Sequence, residues 1–257
     1  MTQLSYIEWV EDDNTATVWL NRQPVNAVNE PMYLEIREFF GNLTTYLPRA
    51  RAVVLAGRGK HFCAGNDLAE FQTLDPANAP ARMKLVREAF WAIYDAPVPI
   101  IAAVHGAAVG TGLAIAASCD LIVAAEGAKF ALPEVKVGVM GGAKHLSRLA
   151  PQGVVRLMHY SGDLVDAEKL RPFGGIVDIV PVDKLLDTAQ ALARSIARHS
   201  PVALRFAKQS LNTIEYMDLK SGYEFEQGLT AELSGYADSK EAVNAVIERR
   251  APVYTGR

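Results

Sequence analysis

Ile100-Ile-Ala-Ala-Val104-His105-Gly106-Ala-Ala-Val-Gly110-Thr111-Gly112-Leu-Ala114-Ile-Ala-Ala-Ser118 is the stretch on which the fold turns. Its first five residues are wholly apolar and rich in β-branched side chains, the pattern of a strand covered on both faces. His105 and the glycines at 106, 110 and 112 interrupt the run, and an Ala-rich segment continues to Ser118. The interruption argues against a membrane span and for a buried strand that turns into a buried helix.

The neighbouring segments repeat this alternation. Thr15–Leu20, 52–56, 121–125 and 176–180 read as short strands. A helix is expected from Pro31 through Phe40, and another over 81–94 with Met83, Val86, Phe90 and Ile93 at helical spacing. Strands alternating with helices indicate an α/β fold with much parallel pairing. Beyond Val182 the pattern becomes almost purely helical: one helix over 183–199, then three more after Ser200-Pro201. The expected division is a core over 1–199 and a helical, oligomer-forming region over 200–257.

The 257 residues are half apolar, enough for a sizeable core, and the formal net charge is −3. No basic excess marks a nucleic-acid binder. Two cysteines, Cys63 and Cys119, are neither a disulfide framework nor a CxxC pair, and suit a reducing compartment. The N-terminal residues lack a signal-peptide pattern. A soluble, cytoplasmic protein is expected, with no membrane segment and no metal.

Three segments carry chemistry. Gly59-Lys-His-Phe-Cys-Ala-Gly65-Asn66-Asp67-Leu68 follows the 52–56 strand, and His105 to Gly112 follows the 100–104 strand. Both place small residues where backbone N–H groups can approach a ligand, and two such donors could hold an oxyanion. Taken alone, each set needs only tight turns and close packing. Gly110-Thr-Gly112 is no GxGxxG fingerprint, and Gly57-Arg-Gly-Lys60 no Walker loop. The third segment, Phe130-Ala-Leu-Pro133-Glu134-Val135, puts a carboxylate in an apolar neighbourhood. By itself this suits a first-turn helix glutamate as well as a base.

Residues 56–68, 104–120 and 130–149 together resemble the successive signature blocks of the enoyl-CoA hydratase/isomerase (crotonase) family. Leu20 to Ala27 resembles its N-terminal block, and 239–257 its C-terminal helix and tail. The resemblance implies a crotonase-like spiral of ββα units with a helical C-terminal region, assembled as a homotrimer or homohexamer. It implies an acyl-CoA substrate that brings coenzyme A with it, and no separate cofactor.

Carried over position by position, the thioester oxygen would be held by the amides of Asn66 and Thr111, with Glu134 as acid/base. Coenzyme A and substrate contacts would fall at Arg22, Val25, Ala64, Asp67, Leu68, Gly112 and Gly142, the last matching the glycine beside the family's hydratase water site. Arg249 would serve the coenzyme or a neighbouring subunit.

Two departures matter. Typical hydratases carry a second glutamate two residues after Gly112, and here that residue is Ala114. Hydration divides naturally between two carboxylates, whereas moving a double bond from position 3 to 2 needs one proton shuttle. The expectation is therefore isomerisation through Glu134, with 2-enoyl-CoA hydration and a non-catalytic acyl-CoA binder as alternatives. Secondly, Lys144 and His145 replace the family's usual residues after Gly142. Either is a candidate proton carrier or acyl-tail contact, or a structural group. His61 with Cys63 suggests a thiol nucleophile only weakly, because no third orienting group is apparent.

Overall fold

The computed structural model describes residues 4–257. Strands β1 (Ile7–Asp12), β2 (Thr15–Leu20), β3 (Ala52–Gly57), β4 (Ile100–Val104), β6 (Leu121–Ala125) and β9 (Asp178–Val180) form one sheet in the order β1-β2-β3-β4-β6-β9. The short strands β5 (Ala107–Val109), β7 (Lys129–Ala131) and β8 (Val165–Asp166) form a second. Among the described residues, only β1–β2 and β7–β8 pair antiparallel.

Period-two alternation explains why the central strands read as unbroken apolar runs. Val53, Leu55, Ile100, Ala102, Val104, Ile122 and Ala124 face the larger core, which includes Met32, Ile36, Phe39 and Phe40 of the Glu30–Gly41 helix. Ala52, Val54, Ala56, Ile101, Ala103, Val123 and Ala125 face the other way, under Leu185, Ala189, Ala193 and Ala197 of the Leu185–Ala197 helix. Each large apolar side chain so buried contributes roughly 1.5–3 kcal/mol.

Each turn of the chain adds to both sheets. β3 leads to Cys63, which bridges in parallel to Ala108 of β5. β4 leads to β5, and β6 to β7. This double addition brings the loop after β3 and the helix after β5 side by side.

The structure differs from the sequence expectation at several places. Residues 107–109 are a strand and not part of the turn, because their partner β7 lies far along the chain. Of the 176–180 run only 178–180 form the strand, although the Val177 amide also donates to Ile122 O of β6 at 2.9 Å. Residues 182–184 form a 3-10 turn before the Leu185–Ala197 helix. β1 was not anticipated; its acidic residues mask the alternation.

Three helices follow Ser200: Pro201–Ile214, Leu219–Leu233 and Ala237–Glu248. Lys208, 4 % exposed, anchors the first to the core by donating to Asp120 Oδ2 at 2.8 Å and to the Val98 carbonyl at 3.1 Å. Asp120 also accepts from the Ile100 amide at 2.7 Å, so one carboxylate serves both regions. Among the described residues, no helix is long and apolar enough to cross a membrane.

Candidate active site

Asn26 organises the first loop. Its side chain is fully buried, accepts from the Arg22 amide at 2.9 Å, and donates to the carbonyls of Arg58 and His61 at 2.8 and 2.9 Å. It thereby ties the 22–27 segment to the turn before Cys63. The Ala64 amide donates to Val25 O at 3.0 Å, and Val28 pairs in parallel with Asn66. Five of the residues assigned to coenzyme A thus lie in one neighbourhood: Arg22, Val25, Ala64, Asp67 and Leu68. Arg22 donates to Asp67 Oδ2 at 2.7 Å and to Ala27 O at 2.8 Å, and its guanidinium holds the Asp67 carboxyl below the usual carboxylate range. Asp67 also caps the Leu68–Gln72 helix through the Ala69 amide, and Leu68 is exposed.

The second loop packs on the first without side-chain clearance. Cys63 N–H donates to Ala107 O at 3.1 Å and Val109 N–H to Cys63 O at 3.0 Å. A Cβ on Gly112 would lie 2.1 Å from Cys63 O, so only glycine fits. Gly112 therefore serves this crossing and does not line the cavity.

The Thr111–Ser118 helix starts here, and its first amides lack intrahelical acceptors. Gly110 N–H goes to Ala131 O, and Asp67 N–H to Val28 O, both at 2.9 Å. Among the described residues, the Thr111 and Asn66 amides beside them have no acceptor.

Asn66 and Thr111 line a cavity of about 330 Å³ together with Gly110, Ala114, Glu134 and Gly142. Its apolar wall is Phe71, Leu74, Met83, Val86, Phe90, Val139 and Met140. Glu134 sits in the Pro133–Val137 3-10 turn that follows β7. Its Oε2 is buried with no hydrogen-bond partner among the described residues. Burial pushes the carboxyl above its ordinary value, opposed in part by a backbone hydrogen bond. Glu134 is the only carboxylate among the residues lining the cavity, and Ala114 is 1 % exposed there.

Lys144 and His145 lie elsewhere. They line a neighbouring cavity of about 240 Å³ with Trp91, Tyr94, Arg148 and Tyr216. Phe90 lines both cavities and meets the His145 ring edge-on at 5.1 Å. Burial pulls His145 down to about 4, so it is neutral near pH 7, and Lys144 stacks over Tyr216. Neither replaces a second carboxyl beside Glu134. Cys63 is fully buried and its thiol pushed up to about 12, which removes it as a nucleophile. Arg249 caps the last helix in an exposed, left-handed conformation, and its amide bonds within that helix.

The apolar wall and Tyr33 were missed as site residues. Met83, Val86 and Phe90 read as core spacing, and the same stripe serves a cavity as well as a core. Two free amides beside a buried carboxyl can hold an oxygen that gains negative charge while the carboxyl moves a proton.

The family model for enoyl-CoA hydratase/isomerase matches residues 11–257. The chain is 36 % identical over 243 residues to a (7aS)-7a-methyl-1,5-dioxo-2,3,5,6,7,7a-hexahydro-1H-indene-carboxyl-CoA hydrolase of Rhodococcus jostii (strain RHA1), covering 94 % of each chain. It is 36 % identical to the 2,3-dehydroadipyl-CoA hydratase of Escherichia coli (strain K12), covering 79 % of this chain and 80 % of that one. An enoyl-CoA hydratase structure from Mycobacterium smegmatis superposes with a TM-score of 0.91 at 30 % identity, covering 97 % of this chain and 98 % of that one. With its two interleaved sheets and its helical C-terminal region, this chain belongs to the enoyl-CoA hydratase/isomerase family of CoA-thioester enzymes.

Proposed function

We propose that the protein holds the thioester oxygen of an acyl-CoA on the Asn66 and Thr111 amides and moves a proton with Glu134 alone. The reaction favoured is migration of a double bond from position 3 to position 2. Glu134 takes the α-proton, the dienolate charge rests on the oxyanion hole, and the same carboxyl returns the proton to the γ-carbon. The observation that carries this reading is the single carboxyl in the cavity, with Ala114 where a second would stand. No electron transfer is involved, so coenzyme A enters as part of the substrate. Arg22, Val25, Ala64, Asp67 and Leu68 would line its path.

Hydrolytic or hydrating use of the same carboxyl is a second reading, favoured by the names of the Rhodococcus and Escherichia relatives. Glu134 would take a proton from water as the water attacks carbon. For hydration the carbon is the β-carbon of a 2-enoyl thioester. For hydrolysis it is a ketone carbon whose bond to the α-carbon then breaks. In both, the electron pair enters the thioester enolate and Glu134 protonates the α-carbon.

Product analysis with 2-enoyl-CoA, 3-enoyl-CoA and a cyclic β-ketoacyl-CoA in deuterated water separates these outcomes. Migration of the 3-enoyl double bond without hydration is expected. A 3-hydroxyacyl or ring-opened product would replace isomerisation by the second reading. Failure of every substrate to react or exchange α-protons would leave an acyl-CoA binder.

Assembly as a trimer or hexamer is part of the proposal. Apolar side chains of the last helices stand in solvent in the single chain, among them Leu219, Val246 and Ile247 at 87, 78 and 74 % exposure. Such a surface suits contact between copies.

A further inference from the structure

The two donor residues belong to different segments, and their main chains are cross-linked only as far as Cys63 and Val109. Beyond that point a third element joins them. The Tyr33 hydroxyl donates to Asn66 Oδ1 at 2.5 Å and meets Thr111 Oγ1 at 2.8 Å. A phenol has one proton, and the Asn66 oxygen can only accept. The second bond therefore runs from the Thr111 hydroxyl to the Tyr33 oxygen, and the polarity of the whole chain is set.

Tyr33 is itself held firmly. It is 5 % exposed, and it sits in the first turn of the Glu30–Gly41 helix, where its amide bonds to Asn29 O at 3.0 Å. Its ring lies edge-on to Phe90 of the cavity wall at 6.1 Å. Burial pushes the phenol well above its ordinary value, so it stays neutral throughout the working range.

We propose that Tyr33 is a positioning residue that sets the separation of the Asn66 and Thr111 amides by clasping both side chains through one buried hydroxyl. This rests on the oxyanion-hole reading above. An oxyanion hole works only when its donors stand where charge develops, and small misplacements are costly. A tyrosine that merely filled the core would bond one partner of convenience. This one bonds the side chains of both residues whose amides are left free.

The test is infrared difference spectroscopy of bound butyryl-CoA carrying ¹³C at the thioester carbonyl, a saturated thioester with no double bond to shift or hydrate. In the wild type the carbonyl stretch is expected below its value in free solution, and in Tyr33→Phe about half or more of that shift should disappear. In turnover of whichever enoyl-CoA the wild type accepts, Tyr33→Phe should lower kcat about tenfold with KM within about twofold. Thr111→Val combined with Tyr33→Phe should lose no more than the worse single variant, as expected of a shared contact.

A wild-type band and kcat in folded Tyr33→Phe, with only a lower Tm, would overturn the positioning role and leave the hole intact. An unshifted band for ligand bound to the wild type would remove the hole and the proposal together. Should Tyr33→Phe fail to fold, Asn66→Ala cuts the same bond from its other end and keeps the amide. The same loss of shift is expected there, and an unchanged band overturns the proposal.

Discussion

Glu134 Oε1 stands where a β-carbon on Gly110 would approach it to 3.1 Å, so the carboxyl packs on bare main chain one residue before Thr111. Gly110 itself has φ +53° and ψ −113°, a conformation that side chains strain. The proposed acid/base group and the proposed oxyanion donor are thus brought together by a position that tolerates no side chain.

Glu134→Gln keeps the shape and removes the proton carrier. The expected result is a fall in kcat of about 10²–10⁴-fold, the usual worth of a positioned acid/base group. Binding of the CoA thioester, measured by equilibrium dialysis, should stay within about threefold. An unchanged turnover rate would exclude Glu134 from the chemistry.

The raised pKa of Glu134 has consequences for both rate and stability. A base must be ionised, so the acid limb of kcat/KM should lie above the ordinary carboxylate value. For stability, a folded-state pKa above the unfolded one gives a contribution present below the unfolded value and lost as pH rises through the folded value. Glu134→Gln should therefore melt higher than the wild type at neutral pH, with the gap closing on acidification. Thermal scans across pH 4 to 8 (a range of about four units) check the sign.

Glycine substitutions should divide by what surrounds them. On Gly112 a Cβ meets Cys63 O at 2.1 Å and Cys63 C at 2.9 Å, both backbone atoms. Gly112→Ala should cost about 1–3 kcal/mol or more in urea unfolding. Gly153, in the Gln152–Ser161 helix, has nothing within 4 Å. Gly153→Ala should stabilise by about 0.4–1 kcal/mol through the unfolded chain.

Much of this was legible in the sequence because it rests on local pattern. The buried strands β3, β4 and β6 are apolar runs stopped by turn residues, and Glu134 follows a proline directly after an apolar stretch. What stayed hidden depends on distant partners. β5 is three residues long and exists only because Phe130 lies beside Ala108. Tyr33 carries no local signal, since nothing nearby in the sequence shows that its hydroxyl meets residues 66 and 111. His145 followed a glycine that does line the cavity, yet the short Ala143–Leu146 helix turns it behind Phe90.

Ala114 marks the place where a second carboxyl is missing, and it lines the cavity with Glu134. Ala114→Glu should raise hydration of a 2-enoyl-CoA relative to double-bond migration by about tenfold or more, if the new carboxyl shares the proton work. Product ratios by mass spectrometry decide it. A variant that binds substrate with an unchanged ratio would show that carboxyl count does not set the reaction.

The crossing of the two loops also bears on how this enzyme can change over generations. The proposed donors at residues 66 and 111 are main-chain groups, and their placement is recorded in the genome mostly as missing side chains at 65, 110 and 112. Such positions offer mutation almost nothing except loss. New acyl preferences must arise instead on the surrounding wall, at Leu74, Met83, Val86, Val139 and Met140, where a change of side chain reshapes the chamber and leaves the crossing untouched. Directed evolution that randomises those five positions and spares the glycines should therefore yield a far larger share of folded, altered enzymes than randomisation spread evenly along the chain.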